Sequence, residues 1–252
     1  MAHLENGVAA YERGDYAAAL KAWRPLAERG DTKAQNNLGL MYHNGLGVPR
    51  NSAEALRWFR KAAERGDADG QFFLGIIYAE GPGAPRDFAE AVRWYSKAAE
   101  QGQAGAQYNL GDMYQNGLGV RQDLAEAVKW YRKAAAQDDA DAQNNLGLMY
   151  ENGFGVRRDT AEALRWYRRA ADRGHVDVWF NLARLSAEGR GVPRDYVQAH
   201  MGFNLIALRS SGQDRDDAAE ARDFVESQMT PAQIAEARKR ARAWLAKHAL
   251  ET

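Results

Sequence analysis

The chain has no cysteine among its 252 residues. Disulfides, thiolate nucleophiles and cysteine-bound zinc are excluded, although this does not identify the compartment. Net charge is also missing, since 34 Lys and Arg balance 34 Asp and Glu. No general attraction to nucleic acid or to an anionic membrane is therefore expected. One local run, Arg238, Lys239, Arg240 and Arg242, follows an acidic stretch from Asp214 to Asp223 and reads as a solvated helix face. No apolar run approaches the ~20 residues that span a bilayer, so no transmembrane segment is expected. No signal peptide is visible either, because MAHLENGVAAY opens directly into a helix-like pattern.

Residues that carry chemistry are scarce in pattern as well as in number. His3, His43, His175, His200 and His248 are scattered, with no His-Glu-x-x-His, and are expected to be exposed or at helix caps. The Gly-x-Gly words lack the third glycine and the preceding strand of a phosphate loop, so they read as turns between helices. The carboxylates form no distinct acid/base pair. Neither a metal site, a cofactor nor an enzyme is expected.

What the chain does have is a period. Trp58, Trp94, Trp130 and Trp166 recur at a step of 36 inside one long word, as in AQNNLGLMYENGFGVRRDTAEALRWYRRAADRG from Ala142 to Gly174. Such a period marks a solenoid whose units contact mainly their neighbours. Five units align without gaps, at 31–66, 67–102, 103–138, 139–174 and 175–210. Each first helix carries Gly39, Gly75, Gly111, Gly147 or Ala183, and three residues later Tyr42, Tyr78, Tyr114, Tyr150 or, in the fifth unit, Ser186. A glycine pair such as Gly45 and Gly47 closes that helix, and Pro49, Pro85 and Pro193 block continuation in three units. The second helix opens on Asn51-x-x-Glu54 and its equivalents, a capping-box pattern with Asp or Asn in the first place. It continues with Ala55, Trp58, Ala62 and Ala63, where the small residues allow close packing and the Trp is expected to fill the space between units.

The ends differ. Residues 1–30 form a shorter helical hairpin, and residues 211–252 add two helices split at Thr230-Pro231, with Thr230 as cap and Pro231 as first helical residue. Ile234, Ala237, Ala241, Trp244 and Leu245 share one side of the last helix. In the fifth unit the Trp position holds Gly202, followed by Phe203. Both ends are expected to cap the array.

The repeated word, carried most completely by Ala142, Leu146, Gly147, Tyr150, Gly153, Gly155, Val156, Asp159, Ala163, Trp166, Tyr167, Ala170, Ala171 and Gly174, resembles the Sel1-like repeat, a bacterial relative of the tetratricopeptide repeat. The first hairpin looks like a single tetratricopeptide unit. The resemblance implies an all-α, right-handed α-solenoid of stacked antiparallel helix pairs. It also implies a noncatalytic adaptor that takes a peptide or partner helix in a concave groove lined by the first helix of each unit, and that is a monomer. Similar chains usually carry a leader, so an exported protein is expected, with the cytoplasm as the alternative. A cysteine-rich branch of the family is linked to β-lactam binding; without cysteine or a Ser-x-x-Lys motif, binding or hydrolysis of a cell-wall fragment or β-lactam remains the second reading. Self-assembly through an incomplete cap is a third.

Counting from the repeated glycine, the groove positions are Asn37, Phe73, Asn109, Asn145 and Asn181. Phe72 and Tyr108 precede two of them, and Lys33, Asp69, Asp141 and Asp177 lie one turn earlier. The Asn row can offer a donor and an acceptor to an extended peptide, or can pair with neighbouring helices and hold the stack. Adjacent on a helix, Phe72 and Phe73 point about 100° apart, so both cannot lie on one core stripe, and one is a candidate aromatic anchor.

Overall fold

The structure, a computed structural model, describes residues 2–81, 83–174, 178–189 and 192–248. Among these residues it is entirely helical. The elements are α1 (Ala2–Glu12), α2 (Tyr16–Glu28), α3 (Thr32–Asn44), α4 (Ser52–Glu64), α5 (Ala68–Glu80), α6 (Phe88–Glu100), α7 (Ala104–Asn116), α8 (Leu124–Ala136), α9 (Ala140–Asn152), α10 (Thr160–Ala171), α11 (Val178–Glu188), α12 (Tyr196–Arg209), α13 (Gly212–Glu226) and α14 (Pro231–His248). They form two compact units, 1–134 and 135–252. In the first, each of α1 to α6 packs on the next helix, α6 packs on α7, and α3, α5 and α7 also touch in turn. In the second, α9, α10, α11 and α12 pack in sequence, and α12 then carries both α13 and α14.

The turn inside each repeat follows from three local choices. The first glycine after the helix adopts a left-handed conformation (φ 73° at Gly45, 68° at Gly117, 75° at Gly153), and the amide of the capping glycine returns to the last turn of the helix. The chain then comes back so that the amide of the next helix's cap residue donates to the tyrosine carbonyl of the first helix. Asn51 reaches Tyr42 at 2.8 Å, Asp87 reaches Tyr78 at 2.8 Å, Asp123 reaches Tyr114 at 2.9 Å and Asp159 reaches Tyr150 at 2.9 Å. The second glycine lies against the preceding hairpin: a Cβ on Gly119 would come within 2.3 Å of the Phe88 backbone.

The capping box is only half formed at these turns. The cap oxygens of Asn51, Asp87, Asp123, Asp159 and Asp195 accept from the amides of Glu54, Glu90, Glu126, Glu162 and Gln198 at 2.9–3.1 Å. Glu54, Glu126 and Glu162 turn away to pair with Arg57, Lys129 and Arg165, because each cap amide is already committed to the tyrosine carbonyl. The reciprocal form occurs at α14, where the Thr230 amide donates to Gln233 Oε1 at 2.9 Å and the Gln233 amide donates to Thr230 Oγ1 at 3.3 Å.

Within a hairpin the space is filled by the residue that follows each Trp. Trp58 is buried, but Trp94, Trp130 and Trp166 are half-buried, with Lys97, Lys133 and Arg169 respectively lying over their rings. The residue that follows each Trp is buried: Phe59, Tyr95, Tyr131 and Tyr167. Each of these rings occupies the volume left by the repeated glycine of the partner helix, so that a Cβ on Gly39, Gly75, Gly111 or Gly147 would fall 2.3–2.7 Å from it. A ring needs this close an approach, and a side chain on the facing helix would prevent it.

A glutamine ladder joins one hairpin to the next. Gln35, Gln71, Gln107 and Gln143 are buried and donate through Nε2 to the carbonyls of Ala27, Ala63, Ala99 and Ala135, at 2.9, 3.3, 3.0 and 3.2 Å. Each gives a second donor, beside a backbone amide of the following turn, to a carbonyl in the final turn of the preceding helix. The fifth repeat has Trp179 in this place. There the equivalent carbonyl, that of Ala171, accepts instead from Trp244 Nε1 at 3.1 Å, and the Trp179 and Trp244 rings meet edge to face at 5.7 Å. The final helix thus supplies the contact that a glutamine of the fifth repeat would otherwise make.

A candidate partner-binding surface

In the first unit, Lys33 and Asp69 are exposed, and Asn37, Phe72, Phe73, Tyr108 and Asn109 are half-buried. The two phenylalanines go to different neighbours. Phe73 stacks on Phe59 at 4.8 Å, while Phe72 lies 6.2 Å from Tyr95 and covers Gly105, where a Cβ would meet its ring at 2.8 Å. Tyr108 packs 5.8 Å from Tyr131. Asn109 hydrogen-bonds the Tyr95 hydroxyl. Where the second helix has Phe59 in place of Tyr95, the facing position is Phe73 in place of Asn109.

In the second unit, Asp141 is exposed and Asn145 and Asn181 are half-buried. Asn181 donates to Asn144 at 3.4 Å. Neither Asn37 nor Asn145 makes a side-chain hydrogen bond with another described residue. Asp177 and His175 lie outside the described residues. The buried member of the Asn-Asn pair in α3 is Asn36, which donates to Asp67 Oδ1 at 2.7 Å. Burial alone would raise the Asp67 carboxyl, but hydrogen bonds from Gly70, Thr32, Asn36 and Asp69 outweigh it and hold the group below its ordinary value.

Two features of these faces escaped the sequence reading. Asp112 stands on α7 where the other units have Leu40, Ile76, Leu148 and Arg184. Its half-buried carboxyl is raised by desolvation, which the Asn116 amide only partly opposes. Glu80 and Asp112 both lie near the Tyr95 hydroxyl, which burial pushes well above the ordinary phenol value. In the second unit Glu151 accepts from the Tyr167 hydroxyl at 3.0 Å and pairs with Arg184, which also reaches Glu188 at 3.3 Å. Asp112 and Arg184 were detectable as unlike residues in an otherwise aliphatic column.

Two of the histidines are buried, where exposed or capping positions were expected. His200 is buried, 2.7 Å from Glu226, and His248 is buried between the carbonyls of Trp244 and Asp172. His200 ties α12 to α13, and His248 ties α14 to the end of α10. No cluster of metal-ligating side chains occurs among the described residues, and no helix there is long and apolar enough to cross a membrane.

Stacked helical hairpins, joined by a buried amide ladder and presenting variable first-helix faces, define a helical-repeat solenoid protein. The Sel1 repeat profile matches residues 32–67, 68–103, 104–139, 140–175 and 180–201, and the chain belongs to the Sel1 repeat family. Proteins of this family are generally noncatalytic scaffolds for protein interaction. The structure is similar to a Sel1 repeat protein from Oxalobacter formigenes, with 29% identity, a TM-score of 0.81, and coverage of 95% of this chain and 99% of that chain. It shares its fold with a Sel1 repeat protein from Klebsiella pneumoniae (23% identity, TM-score 0.51, 81% and 97% covered). The same is true of an immunity protein from Pseudomonas aeruginosa (20% identity, TM-score 0.51, 87% and 82% covered). Comparison with curated proteins gave no significant match.

Proposed function

We propose that the chain is a noncatalytic adaptor that binds an extended peptide or a helix of a partner protein against its first-helix faces. The observation that carries this is a division of labour along those helices. Gln35, Gln71, Gln107 and Gln143 and the repeated glycines hold the scaffold and hardly vary. Solvent-facing positions one or two turns away vary freely, from Lys33 to Asp69 to Asp141, and from Leu40 to Asp112 to Arg184. Repeats that need one backbone but many side chains at the same station suit recognition of a nonrepeating partner. In the first unit Asp69, Glu80 and Asp112 favour a partner segment with basic residues, and Asn37 offers an uncommitted amide beside them.

The test is affinity capture from the source organism with the wild type and with a variant combining Asp69→Lys, Asp112→Asn and Asn37→Ala. A partner held by the wild type and lost from the variant, with helicity and melting temperature preserved, is the expected result. Equal capture by both proteins would contradict the reading.

A further inference from the structure

The fifth repeat lacks a side chain that its siblings possess. At the equivalent station Tyr42 and Tyr78 place a phenol in the crease between the preceding hairpin and their own turn. There the hydroxyls accept from Arg24 Nη2 at 2.8 Å and from Arg60 Nη2 at 3.0 Å. In the fifth repeat the backbone register is unchanged, because the Asp195 amide donates to the Ser186 carbonyl at 2.9 Å just as Asn51 does to Tyr42. The side chain, however, is Ser186 in place of the tyrosine, and the arginine at the Arg24 and Arg60 station is Arg168.

Over α10 in the second unit lies a cavity of about 400 Å³, with Leu164, Val192, Arg165, Arg168, Arg194 and Ser186 on its walls. The homologous crease over α2 keeps its tyrosine and is still about 500 Å³, so the two differ in chemistry and not in volume: there the Tyr42 hydroxyl has already engaged Arg24. In the fifth-repeat cavity the polar groups are unspent. Ser186 is 2% exposed and its Oγ has no hydrogen-bond partner among the described residues, a costly state for a buried hydroxyl. The guanidinium of Arg168 makes no ion pair or hydrogen bond with another described residue. Arg165 is balanced by Glu162 at 2.9 Å, and Arg194 reaches only the Glu188 carbonyl and the Tyr196 hydroxyl, at 3.4 and 3.5 Å. Asp195 also lines the cavity, but its Oδ1 is held as the cap of α12 by the Gln198 amide at 2.9 Å.

We propose that this cavity binds a ligand made of a phenyl ring bearing an anionic oxygen group. The ring would rest between Leu164 and Val192, and the oxygens would accept from Arg168 and Ser186. The sibling repeats show the oxygen contact, a phenol oxygen on the arginine, and the apolar walls of Leu164 and Val192 suit a ring. Volume admits one ring with its substituent, since small-ligand pockets begin at about 300 Å³. A planar guanidinium favours carboxylate or phosphate oxygens, which it can bind through two parallel bonds. The ring can come from a free aromatic acid or from a tyrosyl or phosphotyrosyl side chain of a protein. The inference stands apart from the first-helix reading above.

Isothermal titration with phenyl phosphate and with 4-hydroxybenzoate tests it, alongside inorganic phosphate as an anion without a ring. The wild type is expected to bind both aromatic probes and to bind inorganic phosphate at least about tenfold more weakly, the factor that ~1.4 kcal/mol of ring burial gives. Ser186→Tyr removes the Oγ donor and sets a phenol oxygen against Arg168, as Tyr42 does against Arg24, and is expected to weaken binding about tenfold or more without lowering the melting temperature, as is Arg168→Gln. Amide chemical-shift changes in the wild type, centred on Ser186, Arg168 and Val192, give a readout that needs no variant. A short phosphotyrosyl peptide separates the sources: tighter binding than phenyl phosphate assigns a protein ligand, and equal or weaker binding a free aromatic acid. Failure of both aromatic probes to bind, or shift changes located elsewhere, would overturn the proposal.

Discussion

At the residue scale, single side chains divide into those that seat one helix on another and those that face outward, and burial alone does not separate them. Gln107 is buried and polar, yet it closes a junction by serving the Ala99 carbonyl. Gln107→Ala removes one of the two donors to that carbonyl, the Gly102 amide at 3.0 Å being the other, and is expected to cost about 0.5–1.5 kcal/mol in urea denaturation. Adjacent aromatics make a sharper contrast. Tyr131→Ala removes a fully buried ring that sits in the hollow of Gly111 and should cost about 3–5 kcal/mol. Trp130→Ala removes a half-buried ring covered by Lys133 and should cost less, by the same measurement. The sequence displayed the Trp period more loudly than the buried series beside it, because Phe59, Tyr95, Tyr131 and Tyr167 alternate between two residue types. The glutamine ladder was spelled out in the repeated Ala-Gln pair, but a glutamine's burial depends on a carbonyl eight residues earlier that only the turn between the hairpins brings close.

At the scale of elements, the helix ends were the most legible part of the chain, since glycine pairs and Asp or Asn caps act locally. The capping box was less so: whether Glu54 reaches back depends on whether the Asn51 amide is free, and a carbonyl nine residues upstream decides that. The C-terminal helices show what an end requires. Trp244→Phe keeps an aromatic ring but removes one of the two donors to the Ala171 carbonyl, the Gly174 amide being the other, so a loss of about 0.5–1.5 kcal/mol is expected in thermal or urea unfolding of the whole chain. Glu226 ties α13 to its neighbours through His200 and, at 3.1 Å, Arg238. The His200 hydrogen bond, helped by Arg238, holds the Glu226 carboxyl below its ordinary value of 4.5. The stabilisation is therefore complete above pH 4.5 and is lost as pH falls through the lowered folded value. Unfolding followed from pH 5 to pH 3 should show a steeper loss for the wild type than for Glu226→Gln. Equal slopes would remove Glu226 from the acid response.

At the scale of the whole molecule, a fixed period made the fold class readable before any single residue was weighed, because each 36-residue unit solves the same packing problem. The binding surface was readable only as a set of stations. Asn37, Asn109, Asn145 and Asn181 are one residue type in one register, yet Asn109 is taken by Tyr95, Asn181 by Asn144, and Asn37 and Asn145 are uncommitted. A periodic sequence assigns the register, and the neighbours of each helix assign the role. Asp112 and Ser186 carry a different kind of signal, as departures from a repeated column, and each marks a place where this chain differs from a uniform scaffold.

The central claim is that scaffold and recognition reside on separate positions of the same helices. One paired measurement tests it directly: partner affinity and unfolding free energy, determined side by side for Asn37→Ala/Asn145→Ala and for Gln35→Ala/Gln143→Ala. The asparagine pair is expected to weaken the partner at least about tenfold while changing stability by less than about 1 kcal/mol, and the glutamine pair to lower stability by about 2 kcal/mol or more. Asparagine variants that lose stability as the glutamine variants do, with affinity unchanged, would contradict the account.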